Sequence, residues 1–262
     1  MTKSLTFALY LAIFHSTNVT ASDYCEGIRA NGADSAYWKS GKYADNSVLL
    51  RDAVEINSGW EEEVFNIDTL QIVLERRRDR TEECSSGAVT RFHPTGVISQ
   101  DSTFAMGELL RRNPPCKGPD EEILVPPIVV MNSRGGLLAD DYALGRELRR
   151  LNATVKIADG SQCASSCAVA FLGGTRRIVA SEASVMFHAP YSAGRNERGM
   201  RDVNCDVGNQ SLEALNAYYR EMTSDEVGDR LFERTMWYYS AEDGWVVKGA
   251  SAAELYGIAT EK

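Results

Sequence analysis

The sequence predicts an α/β fold in which strands and helices alternate around a mostly parallel sheet, behind a small N-terminal extension. Apolar runs of strand length alternate with segments of helical periodicity between residues 90 and 188. This is the pattern of βαβ units with right-handed crossovers. The 262 residues, 44% of them hydrophobic and 25% charged, suffice for one sizeable core with an appendage.

The first half of the α/β region contains two predicted strands and two predicted helices. Residues 90–100 are expected to form a strand and turn. A helix follows, with Ser102 as its N-cap and an apolar face that runs to Leu110. Residues 123–130 are apolar throughout, which predicts a strand buried on both faces. Leucines and alanines at three- and four-residue steps predict an amphipathic helix over residues 137–151.

The second half continues this alternation. Short strands are predicted over residues 155–158, 177–180 and 184–188. Helices are predicted over residues 164–172, 209–222 and 250–256. Gly257 directly follows the last helix and is expected to be its C-cap.

The N-terminus predicts a signal peptide over residues 1–21. Lys3 precedes an apolar run over residues 5–14, and small residues lead up to Ala21. The run is too short for a bilayer, which needs about twenty residues, so we expect cleavage rather than an uncleaved tether. The mature protein is then expected to be periplasmic or secreted, without a membrane span.

Residues 22–88 are predicted to form the extension, in loops and helices, and residues 89–262 the α/β domain. Within the extension, residues 64–74 carry apolar side chains at helical spacing, which predicts a helix. The formal net charge of −9 argues against nucleic-acid and anionic-membrane partners. We expect the clusters of arginine to be solvated surface.

All six cysteines follow the predicted cleavage point, which in an oxidising compartment indicates up to three disulfides. Their spacing leaves the pairing open. A zinc site is the rival interpretation, but the chain has no C-x2-C pair and no histidines at ligand spacing. We therefore expect neither metal nor cofactor. The disulfide candidates are Cys25, Cys84, Cys116, Cys163, Cys167 and Cys205.

Two backbone turns could serve acyl-group chemistry. Gly135 and Gly136 follow a predicted buried strand, where a backbone without Cβ can turn sharply and point an N–H into a cleft, as in half of an oxyanion hole. Ser165 follows another strand at the start of a predicted helix, with the N–H of Ser166 as a second donor. The alternatives are a plain glycine turn, a simple N-cap at Ser165, and Ser166 as the nucleophile.

A histidine would complete a nucleophile–base pair. After signal cleavage the chain contains only His93 and His188. His188 ends a predicted strand, the position from which side chains reach a cleft at strand C-termini. His93 precedes a proline and is expected to be structural.

The combination of three motifs resembles the core of the Clp protease proteolytic subunit and, more broadly, the Clp/crotonase superfamily. The motifs are Asn132–Gly136, the Ala-Ser pair at Ser165 before an apolar helix that ends Phe-Leu-Gly-Gly, and Val185–Pro190. The nearest resemblance is to periplasmic Clp-protease-like proteins with a Cys-Ala-Ser-x-Cys signature. It covers residues 90–258 and implies repeated ββα units.

The resemblance implies Ser165 as nucleophile, His188 as general base, and the N–H groups of Gly136 and Ser166 as the oxyanion hole. The chain departs from the family at Arg134, where the family has a proline.

A second departure concerns the third catalytic group. Trp245 stands where the family's catalytic aspartate would fall. The nearest acid, Asp243, is our candidate for the third member, with Glu242 as the alternative. No lysine lies between Lys156 and Lys248, so the Ser–Lys dyad of signal-peptide peptidases on this fold is not supported.

Cys163 and Cys167 bracket the candidate nucleophile. They could pair with each other or bond outward, for instance to Cys205 or Cys116, and either bridge would hold the nucleophile turn in place. A free thiol acting as the nucleophile is a third alternative. Residues 193–205 could be a substrate-binding strand, an oligomer contact or an exposed loop.

Together these features predict a periplasmic or secreted serine hydrolase, specifically a peptidase with a Ser-His-Asp type site. The expected partner is a peptide or protein substrate, with no ATPase partner and with homo-oligomer formation as an option. One alternative is a catalytically inactive binding or scaffold protein on the same fold. Another is an esterase or amidase acting on small acyl groups.

Overall fold

A computed structural model describes residues 60–77, 89–136, 138–195, 201–204, 207–238 and 244–261. The predicted signal peptide and most of the predicted extension lie outside these ranges. The described strands are β1 (Trp60–Ile67), β2 (Leu70–Arg77), β3 (Thr90–Ile98), β4 (Cys116–Lys117), β5 (Ile123–Val125), β6 (Ile128–Val130), β7 (Asn132–Gly136), β8 (Thr154–Ile157), β9 (Gln162–Ala164), β10 (Arg176–Val179), β11 (Ser184–Phe187), β12 (Ser192–Arg195), β13 (Arg201–Asn204) and β14 (Trp245–Lys248). The described helices are α1 (Gln100–Arg112), α2 (Leu138–Arg150), α3 (Ser166–Phe171), α4 (Asn209–Met222), α5 (Asp225–Thr235) and α6 (Ala250–Leu255).

The predicted α/β class with a mostly parallel sheet is confirmed. The main path of the sheet runs β10-β8-β6-β3-β7-β9-β11-β14. All neighbours along it are parallel except β11 and β14, which are antiparallel. Strand β2 pairs antiparallel with β3, and β1 pairs antiparallel with β2.

The sheet divides at Met131, between β6 and β7. Both strands run parallel to β3, β6 beside its first half and β7 beside its second. Beyond this point β6 leads to β8 and β10, whereas β7 leads to β9, β11 and β14. The second branch carries the candidate site.

One continuous apolar core lies between the sheet and the helices. Phe92, Val129, Leu148 and Phe171 are fully buried within it. The short helix α3 is buried along its whole length, as expected for a helix whose sequence is apolar all round.

The last two predicted helices are present, and the second ends at Leu255, one residue before its predicted end. Helix α4 spans the predicted residues 209–222. Helix α6 ends in a Schellman motif, in which Ile258 N–H bonds to Ala253 O and Gly257 N–H bonds to Glu254 O. Tyr256 is the C-cap, and Gly257, predicted as the C-cap, is the next residue, C′, where the motif requires its positive φ of 73°.

The helix predicted over residues 64–74 is wrong, because this segment forms the β1–β2 hairpin. The chain reverses at Asp68, whose φ of 52° is one that aspartate tolerates. Ile72 and Leu74 are buried because β2 lies inside the sheet between β1 and β3. The described part of the extension, residues 60–77, is therefore continuous with the main sheet.

The predicted N-cap of α1 is also wrong. Ser99 is the N-cap, and its hydroxyl accepts a hydrogen bond from the Ser102 N–H at 3.2 Å. The Ser102 hydroxyl accepts in turn from the Ser99 N–H at 2.7 Å. This is a capping box in which serine takes the place of the usual Glu or Gln, which is why Ser102 resembled an N-cap.

The single strand predicted over residues 123–130 is two strands. Pro126 and Pro127 separate β5 from β6 because neither can donate a backbone hydrogen bond. Strand β5 pairs with β4 outside the main sheet. Gly135 and Gly136 do not form a free turn but end strand β7, which pairs with β3 across a bulge.

Candidate active site

Three parallel strands end side by side at the candidate site. Strand β9 lies between β7 and β11, with Cys163 paired to Ser133 on one side and to Val185 on the other. The carboxyl ends of these strands lead to Gly136, Ser165 and His188. Ligand sites of α/β sheets are commonly found at such an edge.

A pocket of about 240 Å³ opens at this edge. Four of the predicted site residues line it, namely Gly136, Ser165, Ser166 and His188. The structure therefore brings together the candidate nucleophile, base and oxyanion-hole residues. The remaining wall is mainly apolar and aromatic and comprises Leu138, Val169, Phe187, Pro190, Tyr191, Leu215 and Tyr219.

Ser165 has an unusual backbone conformation, with φ 58° and ψ −128°. Positive φ is uncommon in residues other than glycine, and such strained residues cluster at functional sites. A serine on a sharp strand-to-helix turn presents its hydroxyl at the end of a sheet. Ser165 is formally the N-cap of α3, but its side chain makes no capping hydrogen bond. The simple N-cap interpretation is therefore wrong.

Backbone hydrogen bonds and a disulfide hold this turn on both sides. The Ser165 N–H donates to Met186 O at 2.8 Å, and Val169 N–H donates to Ser165 O at 3.2 Å. Cys163 and Cys167 are bonded to each other across the turn, with their Cα atoms 5.2 Å apart. Because their sulfur atoms are bonded to each other, neither is the free thiol that a cysteine nucleophile requires.

Of the four other disulfide candidates, only Cys116 lies within the described residues. Cys116 is also disulfide-bonded. Cys25, Cys84 and Cys205 lie outside the described residues. The outward bonds from Cys163 or Cys167 to Cys116 or Cys205 are wrong, because these two cysteines pair with each other.

The end of β7 packs directly against the nucleophile turn. A Cβ on Gly135, whose φ is +87°, would lie 2.4 Å from Ala164 O and 2.8 Å from Ser165 Cβ. A Cβ on Gly136 would lie 1.6 Å from Ile98 O. Only glycine fits at either position. Gly135 allows the close approach of β7 to the Ser165 turn, and Gly136 allows its close pairing with β3.

The two predicted oxyanion-hole donors, the N–H groups of Gly136 and Ser166, differ in their hydrogen-bond partners. Gly136 N–H donates to the Ser166 hydroxyl at 2.6 Å. Ser166 N–H is at the first position of α3 and finds no acceptor within the described ranges. One N–H is thus available to a ligand, and the other is engaged by a side chain of the same site.

His188 is oriented by its own neighbour in the chain. Its Nδ1 donates to Ala189 O at 2.8 Å, because a carbonyl oxygen can only accept. The imidazole also stacks on Tyr191, with 5.3 Å between ring centroids. Burial lowers the pKa of His188, and the Ala189 hydrogen bond offsets this only in part. The ring is therefore neutral at pH 7, with its lone pair on Nε2.

The predicted third members, Asp243 and Glu242, lie outside the described residues. Trp245 is paired with Phe187 in the β11–β14 ladder, and its ring lies 5.9 Å from that of Phe187. The position at which the resemblance predicted a catalytic aspartate therefore holds a buried indole. In the sequence, Gly244 follows Asp243 and directly precedes β14. Strand β14 pairs with β11, whose last residue, Phe187, precedes His188.

His93 lies away from the pocket, in β3. Its Nε2 is 3.1 Å from Glu75 Oε2, and both residues are buried. This pair links β3 to β2, which agrees with the predicted structural role of His93. Residues 193–205 contain strand β13 and all but the first residue of its antiparallel partner β12. Their part in substrate binding or assembly stays a prediction.

Sequence reasoning missed the residues that form the pocket wall. Leu215 and Tyr219 lie on the face of α4 that is buried against the core. The sequence predicts this helix, but it carries no signal that one face of the helix lines the pocket of the nucleophile. Tyr191 directly follows the histidine motif and was overlooked for the same reason.

No protein-family model matches the sequence. No curated protein matches it either. Two solved structures, both variants of the 1510-N membrane-bound stomatin-specific protease, are similar in fold. The first has 15% sequence identity and a TM-score of 0.46 and covers 66% of this chain and 77% of that chain. The second, in complex with a substrate peptide, has 16% identity and a TM-score of 0.43 and covers 66% and 73%.

Within the described ranges, no group of three or more His, Cys, Asp or Glu side chains could hold a metal ion. No helix in the same ranges combines the length and the apolar content that a membrane crossing requires.

Proposed function

We propose that this chain is a serine hydrolase that cleaves peptide bonds, with Ser165 as nucleophile and His188 as general base. The observation that carries the proposal is the strained, uncapped Ser165 in the pocket that it shares with His188. A serine used only to start a helix would adopt an extended conformation and cap it. Strain without a capping bond indicates a hydroxyl kept for chemistry.

Acylation then uses both side chains. Ser165 Oγ attacks the carbonyl carbon of the scissile bond while its proton passes to His188 Nε2. The tetrahedral intermediate collapses as the C–N bond breaks, and His188 returns the proton to the leaving amine. An acyl ester on Ser165 and a free amine are the products of this half-reaction.

Deacylation repeats the sequence with water. A water molecule gives a proton to His188 Nε2 and attacks the acyl carbon. The bond to Ser165 Oγ breaks, and His188 returns the proton to that oxygen. The carboxylic acid leaves, and both side chains regain their starting protonation states.

Asp243 is our proposal for the third member of the site. It is supported by its place two residues before β14, the strand that pairs with β11. An acid in this region could stabilise the imidazolium that forms during each proton transfer, which a backbone carbonyl does less well. Glu242 is the alternative.

The apolar and aromatic wall of the pocket fits the side chain of a peptide or protein substrate. We further propose a periplasmic or secreted enzyme without an ATPase partner. This location is supported by the N-terminal apolar run and by the disulfides of Cys163, Cys167 and Cys116, because disulfides persist in oxidising compartments.

A second candidate activity is the hydrolysis of small esters or amides. It is favoured by the His188 Nδ1–Ala189 O bond. A neutral carbonyl stabilises the imidazolium less than a carboxylate would. Weaker stabilisation is sufficient for esters, because their leaving groups need less protonation than amines do.

The test is a comparison of the purified, oxidised protein on a peptide mixture and on short-chain esters. We expect cleavage of peptides that is lost in Ser165→Ala and retained in Ser181→Ala, which removes an exposed serine hydroxyl. Cleavage of esters alone would establish the second candidate. Absence of both activities in the folded wild type would favour a catalytically inactive binding protein.

A further inference from the structure

The Ser166 hydroxyl occupies a position between the backbone and the pocket. It accepts the Gly136 N–H at 2.6 Å, and Ser166 is 1% exposed while it lines the pocket. The proton of this hydroxyl has no acceptor among the described residues. A buried hydroxyl whose oxygen already accepts a hydrogen bond, but whose own proton has no acceptor, can donate that proton in a hydrogen bond to a ligand.

We propose that the Ser166 hydroxyl is a further catalytic group, which donates a hydrogen bond to the oxyanion that forms when Ser165 is acylated. This inference rests on the proposed serine hydrolase. The Gly136 N–H then acts on the oxyanion through the hydroxyl instead of contacting it directly. The Ser166 N–H is the second donor, so one residue supplies both.

Chain geometry supports this role. Ser166 directly follows the nucleophile, so its N–H and hydroxyl are held at a fixed short separation from Ser165. The hydroxyl is fixed from the other side by Gly136, whose own position leaves no room for a side chain. Pre-oriented donors of this kind cost no reorganisation as charge develops. Donation from Gly136 also polarises the hydroxyl and strengthens the bond that it gives.

The Ser166 hydroxyl could also have the opposite effect and hinder the reaction, and one substitution distinguishes the two roles. If the oxyanion must contact Gly136 N–H directly, the Ser166 hydroxyl stands in the way, and its removal would speed the reaction. The two roles therefore predict opposite signs for the same substitution.

The experiment compares wild type, Ser166→Ala and Ser166→Thr on a cleaved peptide. Removing one oxyanion donor should lower kcat about 10²- to 10³-fold, with KM little changed, and Thr should restore part of the loss. Affinity for a peptide aldehyde, which forms a tetrahedral adduct with the nucleophile, should fall with kcat in Ser166→Ala. Thermal unfolding and circular dichroism confirm that each variant is folded.

Unchanged or raised kcat in Ser166→Ala would overturn the inference and leave the serine hydrolase intact. The proposed function fails separately, when wild type neither cleaves peptides nor reacts with a fluorophosphonate. That result would overturn both. If Ser166→Ala does not fold, Ser166→Gly takes its place, because it removes the same hydroxyl, and the same loss of kcat and of aldehyde affinity is then expected.

Discussion

The Nδ1 atom of His188 donates a hydrogen bond to the carbonyl oxygen of Ala189 at 2.8 Å. A carbonyl cannot donate, so this bond fixes the neutral tautomer with its lone pair on Nε2. Nε2 is the atom that a general base must present to the serine. The histidine motif therefore supplies both the base and one group that orients it.

The pH dependence of hydrolysis should reflect the burial of His188. Burial lowers its pKa below the ordinary value of about 6.5, and the base works only when neutral. We expect kcat/KM to hold at neutral pH and to fall only when the pH drops through this lowered pKa. A pH–rate profile of peptide hydrolysis tests this, and an acid limb above about 6.5 would contradict it.

Protonation of His188 should also lower the free energy of unfolding, so the protein should lose stability, as it loses activity, at acidic pH. The native state binds this proton less readily than the unfolded chain, so the free energy of unfolding falls as the pH drops below about 6.5. The loss is complete once the pH is below the folded-state pKa. Urea unfolding at several mildly acidic pH values should show a weaker decline in His188→Gln than in wild type.

Gly135→Ala should abolish activity through steric conflict at the nucleophile. Its Cβ would lie 2.4 Å from Ala164 O and 2.8 Å from Ser165 Cβ, so the turn must move. Gly208→Ala is the matched control, because Gly208 also has positive φ, +76°, but nothing lies within 4 Å of the added Cβ. Each should cost about 1–2 kcal/mol from φ alone, yet only Gly135→Ala should lose fluorophosphonate labelling.

Replacement of both Cys163 and Cys167 by alanine should loosen the nucleophile turn. The disulfide joins the end of β9 to α3 across the strained Ser165. We expect a loss of stability of about 2 kcal/mol and slower labelling of Ser165 in a protein that remains folded. Chemical unfolding and labelling kinetics measure the two effects. A variant that is destabilised but labels as fast as wild type would refute the positioning role.

Arg177→Met should strongly destabilise the fold. Arg177 is buried, and its guanidinium donates to the carbonyls of Ile258, Gly174 and Gly257, among others. Burial lowers its pKa to about 10. Removal leaves several buried carbonyls without donors, at about 1–3 kcal/mol each. Arg176→Met is the control, because that exposed ion pair contributes about 1 kcal/mol or less. Equal unfolding midpoints for both variants would contradict this account.

The candidate site was predictable because it depends on local rules. Parallel strands end at one edge of a sheet, so motifs at the ends of consecutive strands must meet there. This places Ser165 and His188 in one pocket. Gly257 was predictable for a similar reason, since a helix end that needs positive φ selects glycine.

Three features that the sequence did not predict depend on partners distant in the sequence. Residues 64–74 have helical spacing, but their pairing with β3 decides that they form a hairpin, and local spacing carries no information about that strand. The bond from Gly136 to Ser166 depends on how β7 approaches α3, thirty positions later in the chain. The closure of the pocket by Tyr219 likewise depends on the packing of α4.

The most direct test is fluorophosphonate labelling of the mature, oxidised protein, with the labelled peptide identified by mass spectrometry. The account predicts a stoichiometric adduct on Ser165 that is absent in Ser165→Ala and formed much more slowly in His188→Ala. A folded, oxidised wild type that takes up no label, or that carries the adduct on Ser166, would contradict the assignment of Ser165 as the nucleophile.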